Sequence, residues 1–147
     1  MFANPSEGER CELLRRVKTI AVVGLSPNPA RPSNGVARAM QQFGYGIIPV
    51  RPGVVSVLGE RAYPDLASIP QPFDLVNVFR NAQHLDEVVD QCLAVGAKAL
   101  WIQEGIVDEQ AAERARATGM TVVMDRCIYR DYVKLCGQNL LNAAKIH

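Results

Sequence analysis

The chain has 147 residues, of which 48% are hydrophobic and 21% charged, and its formal net charge is +1. This length predicts one domain, residues 1–147, with enough chain to bury a hydrophobic core. The near balance of 16 basic and 15 acidic residues excludes a polyanion-binding surface as the dominant feature. No apolar run approaches the roughly 20 residues of a membrane-spanning helix. We therefore expect no nucleic-acid partner and no membrane insertion.

The N-terminus and the cysteines predict a cytoplasmic protein without a metal site. The opening residues, MFANPSEGER, lack the basic and apolar regions of a signal peptide. The cysteines at positions 11, 92, 127 and 136 form no CxxC pair, and only two histidines accompany them. Neither a zinc site nor a disulfide framework is therefore indicated. Free buried thiols in a reducing compartment are the expected state.

The first predicted elements are a helix, a strand, a second helix and a second strand. Ser6 and Glu9 have the spacing of a capping box for the leading helix. Residues 19–24, TIAVVG, form a β-branched apolar run typical of a strand buried on both faces. A helix is predicted over residues 33–43, and a second strand over 46–50. The proline in this strand has no N–H, so it must lie where no hydrogen bond to a neighbouring strand is needed.

Three further strands are predicted, each followed by a helix, at residues 73–79, 98–102 and 121–124. The helices between them span 83–95 and, with Asp108 as the N-cap, 109–117, and the last begins at Ile128. Alternating strands and helices predict right-handed crossovers and parallel strands. We therefore predict an α/β fold: a doubly wound Rossmann-type domain with a five-stranded parallel sheet in the order 3-2-1-4-5 and helices on both faces.

The ligand site of such a sheet lies beyond the carboxyl ends of the strands, where the winding reverses. With the order 3-2-1-4-5, the reversal falls between the first and the fourth strand. The candidate residues are those that follow each strand: Gly24, Leu25 and Ser26, then Arg51 to Gly53, Arg80, Gln103 to Gly105, and Asp125 to Cys127.

The loop after the first strand is unusually long. GLSPNPARPSNG, residues 24–35, joins strand to helix where two to six residues are usual, and its three prolines stiffen it. Gly24 and Ser26 allow the backbone to approach a ligand, and a Cβ at Gly24 would intrude on a bound pyrophosphate. Ser33 is in position to cap the helix whose N-terminus attracts phosphate. The loop matches neither GxGxxG nor a Walker A sequence, and a purely structural role for it stays open.

The end of the second strand carries a cation where an NAD-binding fold places a carboxylate. Arg51 at this position would attract a ribose phosphate, either that of NADP or the 3′-phosphate of coenzyme A. Arg31 and Arg80 add positive charge from neighbouring loops, so we expect three guanidinium groups at one mouth. Arginines that are solvated, or paired with Glu60 or Asp65, are the alternative.

Other residues near the strands have both structural and functional interpretations. Phe79 can stack on a purine or belong to the core. Trp101, inside a strand, is expected in the core, and Asp74, at the opposite end of the sheet, is expected to be structural. Cys127 precedes a helix, where its thiolate would be favoured and a mixed disulfide with the thiol of CoA could form, but a small buried hydrophobe is preferred. Neither histidine has a nucleophile or acid partner visible in the sequence, so a catalytic triad is not indicated.

Several segments together resemble the small stand-alone CoA-binding protein family: TIAVVGLSPNPARPSNGVARAM, IIPVRPG, LGERAYPDLASIP, DLVNVFR and GAKALWIQEGIVDEQAAERARATGMTVVMDRC. The similarity covers about residues 14–136. It implies a Rossmann-type fold similar to the CoA-binding domain of the succinyl-CoA synthetase α subunit. The implied CoA or acyl-CoA site is formed by Gly24, Leu25 and Ser26, with Ser33, Phe79, Arg80, Ile102, Gln103, Glu104 and Gly105. Relatives commonly carry Asn-Pro, often with a nearby lysine, where this chain has Arg51-Pro52-Gly53, so Arg51 is the residue expected at the 3′-phosphate.

The resemblance implies a cytoplasmic protein that binds CoA or acyl-CoA as a carrier, sensor or partner protein, without catalysis of its own. The phosphorylated histidine of succinyl-CoA synthetase lies in a second domain that these 147 residues do not contain, and no ATP-grasp segment is recognised. A second copy of the chain or an enzyme is the expected protein partner. The alternative is an NADP-dependent oxidoreductase or a Rossmann-type redox sensor, against which the long first loop and the missing GxGxxG argue.

Overall fold

The computed structural model describes residues 1–136, and residues 137–147, including His147, lie outside the described part. The strands are β1 (Thr19–Val23), β2 (Gly46–Val50), β3 (Ser56–Val57), β4 (Glu60–Arg61), β5 (Leu75–Val78), β6 (Ala99–Ile102) and β7 (Thr121–Met124). The helices are α1 (Glu7–Arg16), α2 (Pro32–Gln42), α3 (Leu85–Val95), α4 (Glu109–Arg116) and α5 (Ile128–Asp131). A π-helical stretch, Tyr132–Cys136, continues α5.

Five of these strands form one parallel sheet in the order β2-β1-β5-β6-β7. β1 pairs with β2 on one side, with Thr19 opposite Gly46, and with β5 on the other, with Ile20 opposite Leu75. The predicted five-stranded parallel sheet is confirmed. The predicted order 3-2-1-4-5 is wrong, because the third strand of the sheet, β5, lies beside β1 and not outside β2.

The reason for this order lies in the segment between β2 and β5. β3 and β4 form a small antiparallel hairpin that the sequence patterns did not predict, since two-residue strands are too short to show a period. After the hairpin, Tyr63 hydrogen-bonds alongside β2: its N–H donates to the carbonyl of Pro49, and its carbonyl accepts from Arg51 N–H. This contact covers the outer edge of β2, so β5 pairs with the free side of β1.

Helices cover both faces of the sheet, as predicted. One hydrophobic core lies under α1, α2 and α5, and the other under α3 and α4. Trp101 is fully buried in the first, as predicted, and its Nε1–H donates to the carbonyl of Arg126 at 2.9 Å. Asp74 has the predicted structural role, because its Oδ2 accepts from the N–H groups of Lys18 and Thr19 at the amino end of β1. No helix between residues 1 and 136 has the length and apolarity needed to cross a membrane.

Local capping signals set the helix ends. The predicted capping box of α1 is present, with Ser6 and Glu9 bonded to each other's backbone. Asp108 caps α4 by accepting from Ala111 N–H at 3.1 Å. Gly96 ends α3 in the left-handed conformation, with φ +70°. The cap at Asp108 lies at the carboxyl edge of the sheet, where the loop after β6 enters α4, whereas Gly96 lies at the amino edge, before β6.

A buried ion cluster joins the last helix to the first. Asp131 is 1% exposed, and its Oδ2 accepts from Nε of Arg10 at 2.9 Å. Arg126 donates to the other carboxylate oxygen of Asp131, from Nη2 at 2.9 Å. The guanidinium group of Arg126 is therefore paired with Asp131. The neighbouring Cys127 is buried.

Candidate functional site

The winding of the sheet reverses between β1 and β5, because β2 lies on one side of β1 and β5, β6 and β7 on the other. The expected reversal between the first and fourth strands is wrong for the same reason as the strand order. The observed reversal places the turn at Gly24 against Phe79 and Arg80, and Phe79 N–H donates to the carbonyl of Val23 at 2.9 Å. A ligand of a doubly wound sheet binds at this point of the carboxyl edge.

Gly24 is required here by the packing of the protein itself. Its φ is +86°, and a Cβ would lie 3.2 Å from the carbonyl carbon and oxygen of Phe79. Its N–H donates to the carbonyl of Val50 at 2.9 Å, so the turn is also tied to β2. Close approach of the backbone to Phe79 therefore explains the glycine without a ligand, whereas the sequence analysis attributed it to a pyrophosphate.

Hydrogen bonds hold the long first loop in one conformation. Ser26 N–H donates to Oγ of Ser33 at 3.0 Å, and Nδ2 of Asn34 donates to the carbonyl of Ser26 at 2.9 Å. Asn28 N–H donates to Oγ of Ser26 at 3.1 Å. The loop is thus built as a rigid platform at the start of α2.

The N-terminus of α2 differs from its prediction. Ser33 was expected to cap the helix, but α2 begins at Pro32, with Arg31 as an N-cap residue whose side chain makes no cap bond. Ser33 lies inside the first turn, because the proline preceding it has the φ angle that starts a helix. That turn contains no acidic residue, so the positive end of the helix dipole favours an anion, but Pro32 has no N–H and the N–H groups of Asn34 and Gly35 donate to the carbonyl of Arg31.

Two adjoining cavities open at this edge of the sheet. The smaller, of about 350 Å³, lies at the start of α2, and the larger, of about 440 Å³, lies between the end of β2 and the start of α3. Both are lined by Gly24, Arg51 and Phe79. The smaller is also lined by Ser26, Arg31 and Ser33. The larger is also lined by Pro52, Pro64, Arg80, Asn81, His84 and Gln91.

The charge around these cavities is positive. Arg51 lines both of them, Arg31 the smaller and Arg80 the larger, whereas no Asp or Glu among residues 1–136 lines either. The ion pairs formed within residues 1–136 involve none of these three arginines, so the alternative of pairing with Glu60 or Asp65 is not observed. Uncompensated guanidinium groups around a cleft are suited to binding phosphate.

Arg51 is held at the junction of the cavities. Its Nη1 lies 3.4 Å from the carbonyl oxygen of Gly24, which orients the side chain across the mouth of the turn. Its backbone N–H is bonded to Tyr63 on the other side of β2. Arg51 can therefore reach a ligand in either cavity without a change in the backbone.

The predicted residues after β6 lie farther away. Because β5 separates β1 from β6, this segment is one strand beyond Phe79 and lines neither cavity. Its side chains are engaged within the protein: Oε1 of Gln103 accepts from Nδ2 of Asn77 and from Ile128 N–H, and Glu104 pairs with Arg130. Gly105 N–H donates to Oδ1 of Asp125 at 2.8 Å.

Two other predicted residues, Leu25 and Ile102, are fully buried, so their side chains belong to the cores. Cys127 is also buried and lines neither cavity. Asn81, His84 and Gln91 also line the larger cavity and are not among the residues predicted from the sequence. The spacing of seven between His84 and Gln91 puts them on one helix face, but only the packing of α3 turns that face toward the cavity.

Comparison with known proteins agrees with the fold. A family model described as a CoA-binding domain matches residues 18–132. The uncharacterized protein YneT of Bacillus subtilis is 46% identical over 125 residues, which are 85% of this chain and 93% of that protein. A solved structure of a hypothetical protein from Pyrococcus horikoshii superposes with a TM-score of 0.86 at 32% identity, covering 92% of this chain and 97% of that one.

A more distant similarity connects the chain to part of a large enzyme. The ADP-forming acetate–CoA ligase I of Archaeoglobus fulgidus is 24% identical over 121 residues, which are 76% of this chain but only 18% of that protein. The chain thus matches one portion of the ligase, whereas it matches almost all of YneT. From the family match and the similarity to YneT together, this chain belongs to the CoA-binding domain family.

Proposed function

We propose that this protein binds CoA or acyl-CoA at the carboxyl edge of the sheet, and that it acts as a carrier, sensor or partner protein without catalysis of its own. The observation that carries the proposal is the pair of connected cavities around Gly24, which are lined by Arg31, Arg51 and Arg80 and, within the described part of the chain, by no carboxylate. CoA carries a pyrophosphate and a ribose 3′-phosphate, so it presents anions to both cavities.

The residues present fit the nucleotide portion of CoA. The pyrophosphate is assigned to the smaller cavity, where the positive end of the α2 dipole and the side chain of Arg31 favour an anion. Arg51, at the junction, is assigned to the 3′-phosphate. Phe79 is partly buried between the cavities, and its ring is available to the purine.

The pantetheine arm is assigned to the neighbouring strand ends. Gln103, Glu104 and Gly105 follow β6, two strands from β1 and therefore roughly 10 Å from Gly24. An extended pantetheine can cross this distance from the pyrophosphate. The predicted contacts at residues 102–105 thus belong to the thiol end of the ligand and not to its phosphates.

The proposed role as a partner protein is supported by the ligase similarity. The chain matches about a fifth of a protein named as an acetate–CoA ligase, so the same fold occurs as one part of a larger enzyme. A stand-alone copy of such a part can hold CoA for an enzyme on another chain. We assign no catalytic residue, because Ser26 and Ser33 line only the smaller cavity and His84 only the larger, and the hydroxyl oxygens of both serines accept hydrogen bonds from backbone N–H groups.

A binding series tests the proposal. Isothermal titration of the full chain with CoA, acetyl-CoA, dephospho-CoA, NADP, NAD and ATP is expected to show the tightest binding for CoA or acetyl-CoA. Loss of the 3′-phosphate removes a charge-assisted contact of about 1.5–3 kcal/mol, so dephospho-CoA is expected to bind roughly ten- to a hundredfold more weakly. Tighter binding of NAD than of CoA would overturn the proposal.

Substitution of Arg51 assigns the contact. Arg51→Gln should bind CoA and dephospho-CoA with similar affinity, because the guanidinium that distinguishes them is gone. Arg61→Gln is the matched control, since Arg61 is exposed on the nearby hairpin and lines neither cavity. Discrimination that persists in Arg51→Gln would show that another group meets the 3′-phosphate.

NADP is the second candidate ligand, and Arg51 is the observation that favours it. A cation at the end of β2, with no carboxylate beside it in the cavities, suits a ribose 2′-phosphate as well as a 3′-phosphate. Tighter binding of NADP than of CoA in the same series would favour an NADP-dependent oxidoreductase or a redox sensor over a CoA-binding protein.

A further inference from the structure

The larger cavity contains a titratable group to which the proposed function assigns no role. His84 is the N-cap residue of α3, is partly buried, and lines this cavity. Gln91, two turns along the same helix, also lines it, and its Oε1 accepts from Leu66 N–H at 3.1 Å. That bond holds this face of α3 against the segment between β4 and β5, so the position of His84 is set by packing.

The charged groups that line the cavity with His84 are both cations. Arg51 reaches it from the end of β2, and Arg80 reaches it from the turn after β5. A protonated imidazole would therefore be a third positive charge around one cavity of about 440 Å³. Three such charges are stable together when an anion of high charge lies between them.

Carboxylates on the surrounding elements do not line this cavity. On α3, Glu87 is exposed one turn after His84, and Asp86 pairs with Arg114 of α4. On the segment after β4, Asp65 accepts hydrogen bonds from the backbone N–H and the hydroxyl of Ser68. The uncharged neighbour in contact with the ring is Gln83, whose Nε2 lies 3.4 Å from Nε2 of His84.

A phosphomonoester fits this set of groups. It carries a charge between −1.5 and −2 near pH 7 and three strong acceptor oxygens, more than a carboxylate or a phosphodiester offers. A pyrophosphate at the start of α2 fills the smaller cavity, and the larger cavity joins it through Gly24, Arg51 and Phe79. The ribose end of the ligand then reaches the larger cavity. CoA and NADP carry a ribose phosphomonoester, and dephospho-CoA and NAD do not.

On the basis of the proposed function, we propose that His84 is a further ligand-binding residue, whose protonated imidazole donates a hydrogen bond to the ribose phosphomonoester beside Arg51 and Arg80. Histidine side chains change charge between about pH 5 and 8. A charge-assisted hydrogen bond is stronger than a neutral one. We therefore expect the contact, and with it the selectivity for the phosphomonoester, to strengthen as the pH is lowered.

The test compares the wild-type protein with His84→Gln and His84→Arg at pH 6.0 and 8.0 and constant ionic strength. Glutamine keeps a neutral donor, whereas arginine keeps a positive charge at both pH values. The measured quantity is the ratio of the dissociation constants of variant and wild type for CoA, dephospho-CoA and NADP. The phosphate of the ligand itself ionises near pH 6, and this changes the affinity of both proteins equally. The ratio of the two dissociation constants removes this common effect.

For CoA, His84→Gln is expected to weaken binding about three- to tenfold at pH 6.0, and the ratio should approach one at pH 8.0. For dephospho-CoA the ratio should be about one at both pH values. For His84→Arg the ratio for CoA should be about one at pH 6.0 and should fall below one at pH 8.0, because arginine keeps its charge at both pH values. If the same dependence on pH is found with NADP and not with CoA, His84 contacts a ribose phosphomonoester as proposed, but the ligand of the protein is NADP.

Two outcomes overturn the inference and leave the proposed function standing. One is a ratio for CoA that is the same at both pH values, and the other is an equal penalty for dephospho-CoA. A folded wild-type protein that binds none of the three ligands overturns the proposed function and this inference together. Circular dichroism of each variant shows whether it is folded, and the charge-keeping His84→Arg separates loss of charge from loss of structure.

Discussion

Substitution of Gly24 by alanine tests how the site is built. A non-glycine residue with φ +86° costs about 1–2 kcal/mol of backbone strain. The added Cβ would also lie 3.2 Å from the backbone carbon and oxygen of Phe79, closer than ordinary contact, so β1 and β5 must move apart at their ends. Forced overpacking of this kind costs about 1–3 kcal/mol. We therefore expect Gly24→Ala to lower the free energy of unfolding by about 2–5 kcal/mol.

Gly119→Ala is the matched control. Gly119 has φ +95°, but nothing lies within 4 Å of a Cβ built there, and the residue follows α4 far from the cavities. It should lose only the strain contribution of about 1–2 kcal/mol. The difference between the two variants, about 1–3 kcal/mol, then measures the contact between the Gly24 turn and Phe79. Both values come from urea unfolding monitored by circular dichroism, provided that the slopes with denaturant agree.

Binding of CoA should separate the two variants further. In Gly24→Ala the displaced Phe79 and Arg80 no longer line one continuous pair of cavities, so we expect a loss of affinity of at least tenfold, whereas Gly119→Ala should bind as the wild type. Equal stabilities for the two variants, together with unchanged CoA affinity for Gly24→Ala, would refute the reasoning. If Gly24→Ala loses much of its affinity for CoA but is no less stable than Gly119→Ala, Gly24 contacts the ligand directly.

Two other predictions concern buried groups. Asp131→Asn removes the carboxylate that neutralises the buried Arg10, so it should lower the free energy of unfolding, measured in urea, by about 3–5 kcal/mol. Arg114→Gln, which breaks an exposed ion pair, is the control and should lower it by no more than about 1 kcal/mol. Similar losses for the two variants would contradict the importance of the buried cluster. Burial raises the pKa of Cys92 to about 12, so alkylation of the native protein at pH 9, mapped by mass spectrometry, should modify the half-buried Cys11 and spare Cys92. Because this pKa lies above the unfolded value of about 8.5, the contribution of the Cys92 thiol to stability is complete below pH 8.5 and is lost as the pH rises toward 12. Cys92→Ala should therefore reduce the dependence of the free energy of unfolding on pH in this range. An unchanged dependence would argue against the raised pKa of Cys92.

The strands of the large sheet, most of the helices and the local geometry of their ends could be predicted from the sequence alone. Strand β7 and strand β2 have the predicted bounds, because each is a short apolar run that follows a glycine turn and ends at a charged residue. The capping box at Ser6 and the cap at Asp108 depend on residues three positions apart, which a sequence displays directly. Gly24 and Arg51 were found because each directly follows a strand.

The order of the strands was decided by tertiary structure. The apolar run that becomes β5 is compatible with either side of the first two strands, since a buried parallel strand has no distinctive face. The choice follows from Tyr63, which bonds along the outer edge of β2 after a hairpin too short to be recognised. The site moved with that choice, because Phe79 and Arg80, and not the residues after β6, became the neighbours of Gly24.

The larger cavity likewise exists only in the folded chain. His84 and Arg51 are 33 positions apart in the sequence and belong to segments with no shared pattern, yet they line one cavity when α3 packs beside the sheet. Helical and strand periods report which side of an element is buried, but not which distant element covers it. Phosphate-binding groups at strand ends were therefore predictable from the sequence, whereas the grouping of His84 with two arginines required the packing of helix against sheet.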